Sequence, residues 1–486
     1  MTRQIRQLGI GLMVCFAILF VQLNRLALID AGKLNDNPNN TREILRDFSQ
    51  PRGSITTADD VEIARSVPSG DRFKLQREYP EGPLFAAITG FFSFTLGSSG
   101  VEKTYNDELA GRTLGLSLQD LGDLFVDKDR VGNVELTVRA DLQRVAAATL
   151  GEREGSVVAL DPRTGAILAM VSYPTFDPNV LANHDTPTAA EAQRALDADP
   201  EKPRLSRAYQ DRFFPGSTFK IVTATAALVS GTVTTEEPVY PVTDGYTPPL
   251  TDRPIRNFDG ASCGGNLLNA LRVSCNSVFT QMGVDTGADD MIKTAEAFGF
   301  NQDVPIDLTN PVRSVFPDDF TRNTPALAQS SIGQNDVSAT PLQMALVAAA
   351  VANGGKIMKP HVLNDVRDTD GNVVDTYDED EWRTAMDPGT AALLRDAMVE
   401  VVRNGTATRL AVPGFLVGGK TGTAQLGADP PRSHAWIIGF AGPEGGEAEI
   451  AVAVIVEGQP EASTQTGGRV AAPIAQAVLE AYLEGP

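Results

Sequence analysis

Histidine and cysteine are scarce in this chain of 486 residues, with three of each. A structural zinc site draws four ligands mostly from those two types, so a His- and Cys-rich metal centre is hard to assemble, and no metal is expected. Positive charge is short as well. Lys and Arg number 41 against 62 Asp and Glu, a formal net charge of −21, and no basic block offers a phosphate backbone a surface to bind. That excludes nucleic acid as a partner. A second long apolar run is missing, which excludes a multi-spanning membrane protein. The fractions that are present, 42 % hydrophobic and 21 % charged, are those of a globular protein rather than a disordered or collagen-like chain. At about 150 residues per domain, the length suggests about three domains, or two and an extension. With His and Cys so few, catalysis would rest on Ser, Lys, Asn or carboxylates.

The one long apolar run is Leu8 to Leu23, interrupted only by Gln22 and preceded by Arg3 and Arg6. At about 1.5 Å per residue it covers about 24 Å, a little less than a hydrocarbon core of roughly 30 Å, so Ile5, Leu26 and Leu28 would complete the span. Signal-peptide cleavage wants small residues at both −3 and −1, but Ala27 is paired with Arg25 and Ala31 with Ile29. An uncleaved anchor is therefore expected, with the two arginines holding the N-terminus in the cytoplasm and the rest of the chain outside. Outside the cell a disulfide persists, and Cys263 and Cys275 either form one or stay as buried thiols. Cys15, inside the anchor, reads as an inert hydrophobe.

Beyond the anchor lies a polar stretch, Asn35 to Asn40, then a mixed region to about Gly132 with a short strand expected near Gly53-Ser54-Ile55-Thr56 and no catalytic constellation. Asp141 to Leu150 carries apolar residues at helical spacing. Ser156 to Leu160 and Ala166 to Val171 flank Asp161-Pro162-Arg163-Thr164-Gly165 and predict a β-hairpin. The Ala-rich middle predicts helices, among them Lys220 to Leu228, Gln343 to Ala352 and Gly389 to Arg403. Strand patterns return at Phe415 to Thr423, His434 to Phe440 and Glu449 to Val456, and Val470 to Leu483 predicts a closing helix with Pro473 in its first turn. A helix and hairpin, a helical insertion, three strands and a last helix make an α+β domain whose sheet is assembled from distant halves. Asp368-Thr369-Asp370-Gly371-Asn372 mimics part of a calcium loop, lacks the rest, and reads as a turn.

Gly414 to Thr421 satisfies GxxxxGK[ST], the phosphate-binding loop pattern. That loop works when a strand precedes it and a helix follows, so that backbone N–H groups converge on phosphate. Here Pro413 stands upstream, and Thr421-Gly422-Thr423 continues with β-branched residues and a second Gly, which predict strand instead. Nucleotide binding is set aside on that context. Ser217 and Lys220, at the start of a helix-like run after Pro215-Gly216, lie three apart and so share a face if the helix forms. A serine hydroxyl becomes a competent nucleophile when a neighbouring base takes its proton, and a lysine does so once burial or nearby positive charge lowers its pKa. Lys220 alone among the lysines has a Ser three positions before it.

Ser274-Cys275-Asn276 and Lys420-Thr421-Gly422 each occur once and follow in that order. Together with Ser217 and Lys220 they resemble the SxxK, SxN and KTG signature of penicillin-binding proteins and serine β-lactamases. Cys275 stands where the β-lactamase form has Asp. The match runs along most of the chain through Arg52-Gly53-Ser54-Ile55, Gly100 to Tyr105, Val158 to Gly165, Ser206-Arg207-Ala208, Ile332-Gly333-Gln334, Thr340-Pro341 and His434-Ala435-Trp436, and it resembles the class B penicillin-binding proteins. The resemblance implies an anchor over 1–28, a pedestal of dimerisation type over 29–138 and a transpeptidase domain over 139–486, in which an antiparallel sheet is flanked by helices and a helical subdomain. It implies that Ser217 attacks the penultimate D-Ala carbonyl of a stem peptide, with Lys220 as general base. Ser274 would relay a proton to the leaving amine, and Asn276 would hydrogen-bond the substrate amide and Lys220. Lys420 would hold Ser274 and lower the pKa of Lys220. Thr421 and Thr423 would bind the substrate carboxylate, Gly422 would leave room for the substrate backbone, and the N–H groups of Ser217 and Thr423 would form the oxyanion hole. The partners so implied are stem peptides ending in D-Ala-D-Ala, β-lactam antibiotics, the plasma membrane, and a polytopic glycan polymerase of the division or elongation machinery. No cofactor is implied. The same motifs serve D,D-carboxypeptidases and β-lactamases, and a non-catalytic β-lactam sensor or scaffold is an alternative of another class. Trp436 and His434 read as core and strand residues, and Gly333-Gln334 and Thr340-Pro341 as a turn and a helix start.

Overall fold

The computed structural model describes residues 2–25, 48–113, 116, 131–427, 431–459 and 465–485. Leu26 and Leu28 as the end of the span, the pairs at Ala27 and Ala31, the polar stretch at Asn35 to Asn40 and the boundary at 28 lie outside these residues. Helix α1 is Thr2–Asn24, and its segment Arg6–Asn24, with a mean hydropathy of 1.8, is long and apolar enough to cross a membrane. Leu8, Phe16, Leu19 and Phe20 on it are all exposed, as side chains meeting lipid would be.

Two sheets organise the rest. The first has strands β1 (Ile55–Thr56), β2 (Glu62–Pro68), β3 (Leu75–Glu78) and β4 (Asn133–Leu136). Next come α2 (Ala140–Leu150), β5 (Gly155–Leu160) and β6 (Ile167–Tyr173), then α3 (Lys220–Val229), α4 (Leu267–Val273), α5 (Asn276–Thr286) and α6 (Pro341–Ala352). After them follow β7 (Leu363–Arg367), β8 (Val373–Thr376), α7 (Pro388–Asn404), β9 (Phe415–Gln425), β10 (Ser433–Pro443), β11 (Ile450–Val456) and α8 (Gly467–Leu483).

The five-stranded sheet runs β9-β10-β11-β5-β6, antiparallel throughout, and joins the hairpin of the first half to the three strands of the last. Every residue of β11, Ile-Ala-Val-Ala-Val-Ile-Val, is buried, as a continuous apolar run must be when both faces of a sheet are covered. Helix α6 is apolar all round and buried from Pro341 to Val351, which makes it a core helix, with Thr340 capping it through a bond from the Gln343 N–H at 3.0 Å. Strand β9 is the sheet's edge, and the strand reading of Lys420 to Thr423 holds over the phosphate-loop reading because Phe415–Gln425 runs unbroken past it with no helix following.

In the six-stranded sheet, ordered β8-β7-β4-β1-β2-β3, β7 pairs with β4 across the expected boundary at 138 and carries β8 on its outer edge. The Asp368 to Asn372 turn joins β7 and β8: the Asp368 carboxylate accepts the Asp370 and Asn372 N–H groups at 2.8 Å each, and Gly371 takes φ 86. The pedestal is tied by a buried ion triad. Glu102 accepts Arg52 Nε at 2.7 Å, Arg77 Nε at 2.6 Å and the Tyr79 hydroxyl at 3.1 Å. Burial works against the Glu102 charge, but the two guanidiniums prevail and hold its carboxyl below the usual range. Replacing Glu102 by Gln should therefore destabilise the protein by about 3–5 kcal/mol in urea unfolding, since it strands two buried cations. An unchanged midpoint would show that the triad is not under strain from burial.

One helix departs from expectation. Helix α8 begins at Gly467, three residues earlier than its apolar pattern suggests, so Pro473 lies inside the helix rather than in the first turn. The Arg469 carbonyl that Pro473 cannot bond takes Arg409 Nη1 at 3.5 Å instead.

Candidate active site

Ser217 sits in a single tight turn, Gly216–Phe219, that leads straight into α3 at Lys220. The turn is clamped from three sides. Gly216 adopts φ 55, and its N–H donates to the Gly333 carbonyl at 2.9 Å. The Thr218 hydroxyl donates to the Pro215 carbonyl at 2.7 Å, and Trp436 Nε1 donates to the Phe214 carbonyl at 3.0 Å. A Cβ at Gly333 would fall 2.2 Å from the Gly216 oxygen, so the Gly333-Gln334 turn is a support of the Ser217 turn. Trp436 is fully buried, and His434 accepts the Gly458 N–H on Nδ1 at 3.1 Å while burial pushes its pKa down to about 4, so both are core residues.

Lys220 is fully buried while Ser217 keeps partial exposure. Ser217 lies in the turn and Lys220 opens α3, and the lysine Nζ donates to the Ser274 carbonyl at 2.8 Å and to Asn276 Oδ1 at 2.7 Å, and lies 3.3 Å from Ser274 Oγ. None of these bonds goes to Ser217. Burial first, and then the like charge of Lys420, hold Lys220 well below its ordinary pKa. Lys420, fully buried on β9, donates to Ser274 Oγ at 2.8 Å and to the Thr421 carbonyl at 3.0 Å, and burial brings its pKa down to about 7.

Ser274 owes its place to the break between α4 and α5. It takes the left-handed conformation, φ 59 and ψ 45, rare for a residue with a Cβ, and so turns its hydroxyl between two lysines. Asn276 opens α5, and its Nδ2 donates to the Arg256 carbonyl at 3.0 Å, which fixes the amide with Oδ1 toward Lys220. Cys275 between them is joined to Cys263 by a disulfide, and Asn257 Oδ1 accepts the Ser277 N–H at 2.8 Å.

Gly422 meets the Ser217 turn directly. A Cβ there would lie 2.9 Å from the Pro215 oxygen, the Thr218 methyl and the Trp436 Cβ, so packing against the turn already requires a glycine. Thr423 approaches the same turn, its oxygen 3.0 Å from where a Gly216 Cβ would stand. The Thr421 hydroxyl is 2.7 Å from that of Thr406, a residue with no motif around it. Thr406, Asn257 and the Arg256 carbonyl are the parts of this site that sequence reasoning missed. Among the described residues no cluster of His, Cys, Asp and Glu is arranged to hold a metal.

A half-exposed serine, two lysines of lowered pKa around a second serine, and an edge strand alongside define the site of a serine acyltransferase. The chain belongs to the penicillin-binding transpeptidases: the family model of the penicillin-binding protein transpeptidase domain matches residues 155–480, and that of the penicillin-binding protein A dimerisation domain matches residues 52–134. It is 37% identical over 500 residues to the peptidoglycan D,D-transpeptidase PbpA of Mycolicibacterium smegmatis, covering 99% of each chain. With the protein of the same name from Mycobacterium tuberculosis it shares 36% over 502 residues and 100% of each chain. The structure of M. tuberculosis penicillin-binding protein A as a ceftriaxone acyl-enzyme superposes with a TM-score of 0.83 at 36% identity, over 90% of this chain and 99% of that one. The penicillin G acyl-enzyme gives 0.81 at 36% identity, over 89% and 100%.

Proposed function

We propose that this chain is a peptidoglycan D,D-transpeptidase that cross-links stem peptides through a D-alanyl ester on Ser217 and is inhibited by β-lactams. The observation that carries this reading is the convergence of Lys220 and Lys420 on Ser274, which gathers three distant segments at one point, with β9 packed against the turn that carries Ser217. Two carbonyl-type acceptors occupy two hydrogens of a neutral Lys220 amine, leaving its lone pair to take the Ser217 proton as the hydroxyl oxygen attacks the penultimate D-Ala carbonyl. The N–H groups of Ser217 and Thr423 stabilise the oxyanion, and a misplaced donor there costs about 2.7–4 kcal/mol, which is why the β9 edge is packed so tightly on the turn. Collapse of the tetrahedral intermediate expels the terminal D-Ala, whose amine receives a proton relayed by Ser274. Asn276 holds Lys220 and the substrate amide, and Thr421 and Thr423 receive the substrate carboxylate. An amine from a second stem peptide then attacks the ester and releases Ser217. An extended substrate adds to the edge strand through main-chain hydrogen bonds.

The test is incubation with a D-Ala-D-Ala donor peptide and an acceptor amine, followed by mass. Cross-linked product supports the reading; release of D-Ala with water as the sole acceptor makes the enzyme a carboxypeptidase, and rapid turnover of penicillin makes it a β-lactamase.

Lys420 gives a sharper measurement. Changing Lys420 to Gln should slow acylation by penicillin G by about 10²–10³-fold, through the lost donor to Ser274. It should also move the acid limb of the rate profile to higher pH, because Lys220 loses a like-charged neighbour and binds its proton more tightly. ATP binding that vanished in the same variant would instead restore the phosphate-loop reading.

Arg3 and Arg6, at the start of α1 and ahead of its apolar run, support an N-terminus in the cytoplasm and a catalytic body outside the plasma membrane, reached by protease from outside intact cells. The anchor ends at 28 and the transpeptidase domain begins at 139, with β7 and β8 returning to the pedestal sheet. A polytopic glycan polymerase in the membrane is the partner that the anchor and pedestal would meet.

A further inference from the structure

Thr406 lies just past the end of α7, outside every motif, and its hydroxyl oxygen stands 2.7 Å from that of Thr421, with either atom able to donate. The choice is decided by what Thr421 must do. A hydroxyl has one proton, and a carboxylate accepts only. Thr421 can therefore bind the substrate carboxylate only if it does not spend its proton on Thr406. The same corner is closed by the first turn of α8. A Cβ at Gly468 would fall 2.6 Å from the Thr406 backbone carbonyl oxygen and 3.6 Å from the Thr421 methyl, so the helix start packs on both threonines and holds the Thr406 backbone where it is. The positive end of that helix also favours an anion in this corner.

We propose that Thr406 is a positioning residue for the reaction: it donates its hydroxyl proton to Thr421 Oγ1 and so leaves the Thr421 proton aimed at the substrate carboxylate. This rests on the reading above that Thr421 binds that carboxylate. Thr406 touches no reacting atom; it sets the rotor of the residue that does.

The test compares acylation by penicillin G with acylation by its methyl ester, which has no carboxylate, each followed by intact mass at matched fractions of label. Thr406→Val should slow the acid by about tenfold and leave the ester unchanged, Thr406→Ser should retain the acid rate, and Thr421→Val should slow the acid by about a hundredfold with the ester again spared. If Thr421→Val is selective for the acid while Thr406→Val slows acid and ester equally, or slows neither, Thr406 is a packing residue and the proposal is overturned with the carboxylate reading intact. A Thr406→Ser variant as slow as Thr406→Val overturns it in the same way. If Thr421→Val shows no preference for the acid, the carboxylate reading itself fails and the proposal falls with it.

Discussion

Ser217→Ala should abolish covalent labelling by a fluorescent penicillin on a denaturing gel and leave the melting temperature nearly where it was. Covalent capture needs the one oxygen that the substitution removes, and no neighbour replaces it, since the Ser274 hydroxyl is held between two lysines. Stability should hold because the clamps on this turn act through Gly216, Thr218 and Phe214 rather than through the Ser217 side chain. Surface substitutions that leave such features alone stay within about 0.5 kcal/mol. Persistent labelling in this variant would remove Ser217 as the nucleophile and, with it, the mechanism.

Lys220→Met should slow acylation by about 10²–10⁴-fold, the range for removing a general base, at nearly constant side-chain volume. Here stability does change. The Ser274 carbonyl and Asn276 Oδ1 lose their donor, and a buried acceptor left unpaired costs about 1–3 kcal/mol. The kinetic loss, measured well below the melting temperature, exceeds what that destabilisation could produce. In the parent enzyme the acylation rate should rise with pH through the depressed pKa of Lys220, because the protonated amine cannot accept the Ser217 proton. In Lys220→Met the residual rate should lose that limb. A variant that kept both the rate and the limb would assign the base to another group.

The three motifs were legible in the sequence because each carries its chemistry in contiguous residues at a fixed offset. The strand identity of Lys420 to Thr423 was legible too, from Pro413 ahead of it and the β-branched residues within it. What stayed hidden acts from far away through groups that every residue has. Arg256 serves through its carbonyl, and Thr406 through a hydroxyl fifteen positions before its partner. The pairing of Cys263 with Cys275 depends on a distance that spacing does not supply. The start of α8 is not legible because its first turn is Gly467-Gly468-Arg469, which has no apolar periodicity to read. In the sequence Gly422 reads as room for a substrate backbone; packing against Pro215, Thr218 and Trp436 demands the glycine as well.

Strand β4 pairs with β7, and Arg367 Nε reaches Glu135 Oε2 at 3.0 Å across 232 positions of sequence. During synthesis β4 thus emerges long before the strand that covers it, and until then it presents an unpaired edge to its surroundings. A fragment ending at 138 would carry that open edge permanently. The pedestal sheet is thus closed only once residues 363–376 have followed, although its first strands are among the earliest parts of the chain to leave the ribosome.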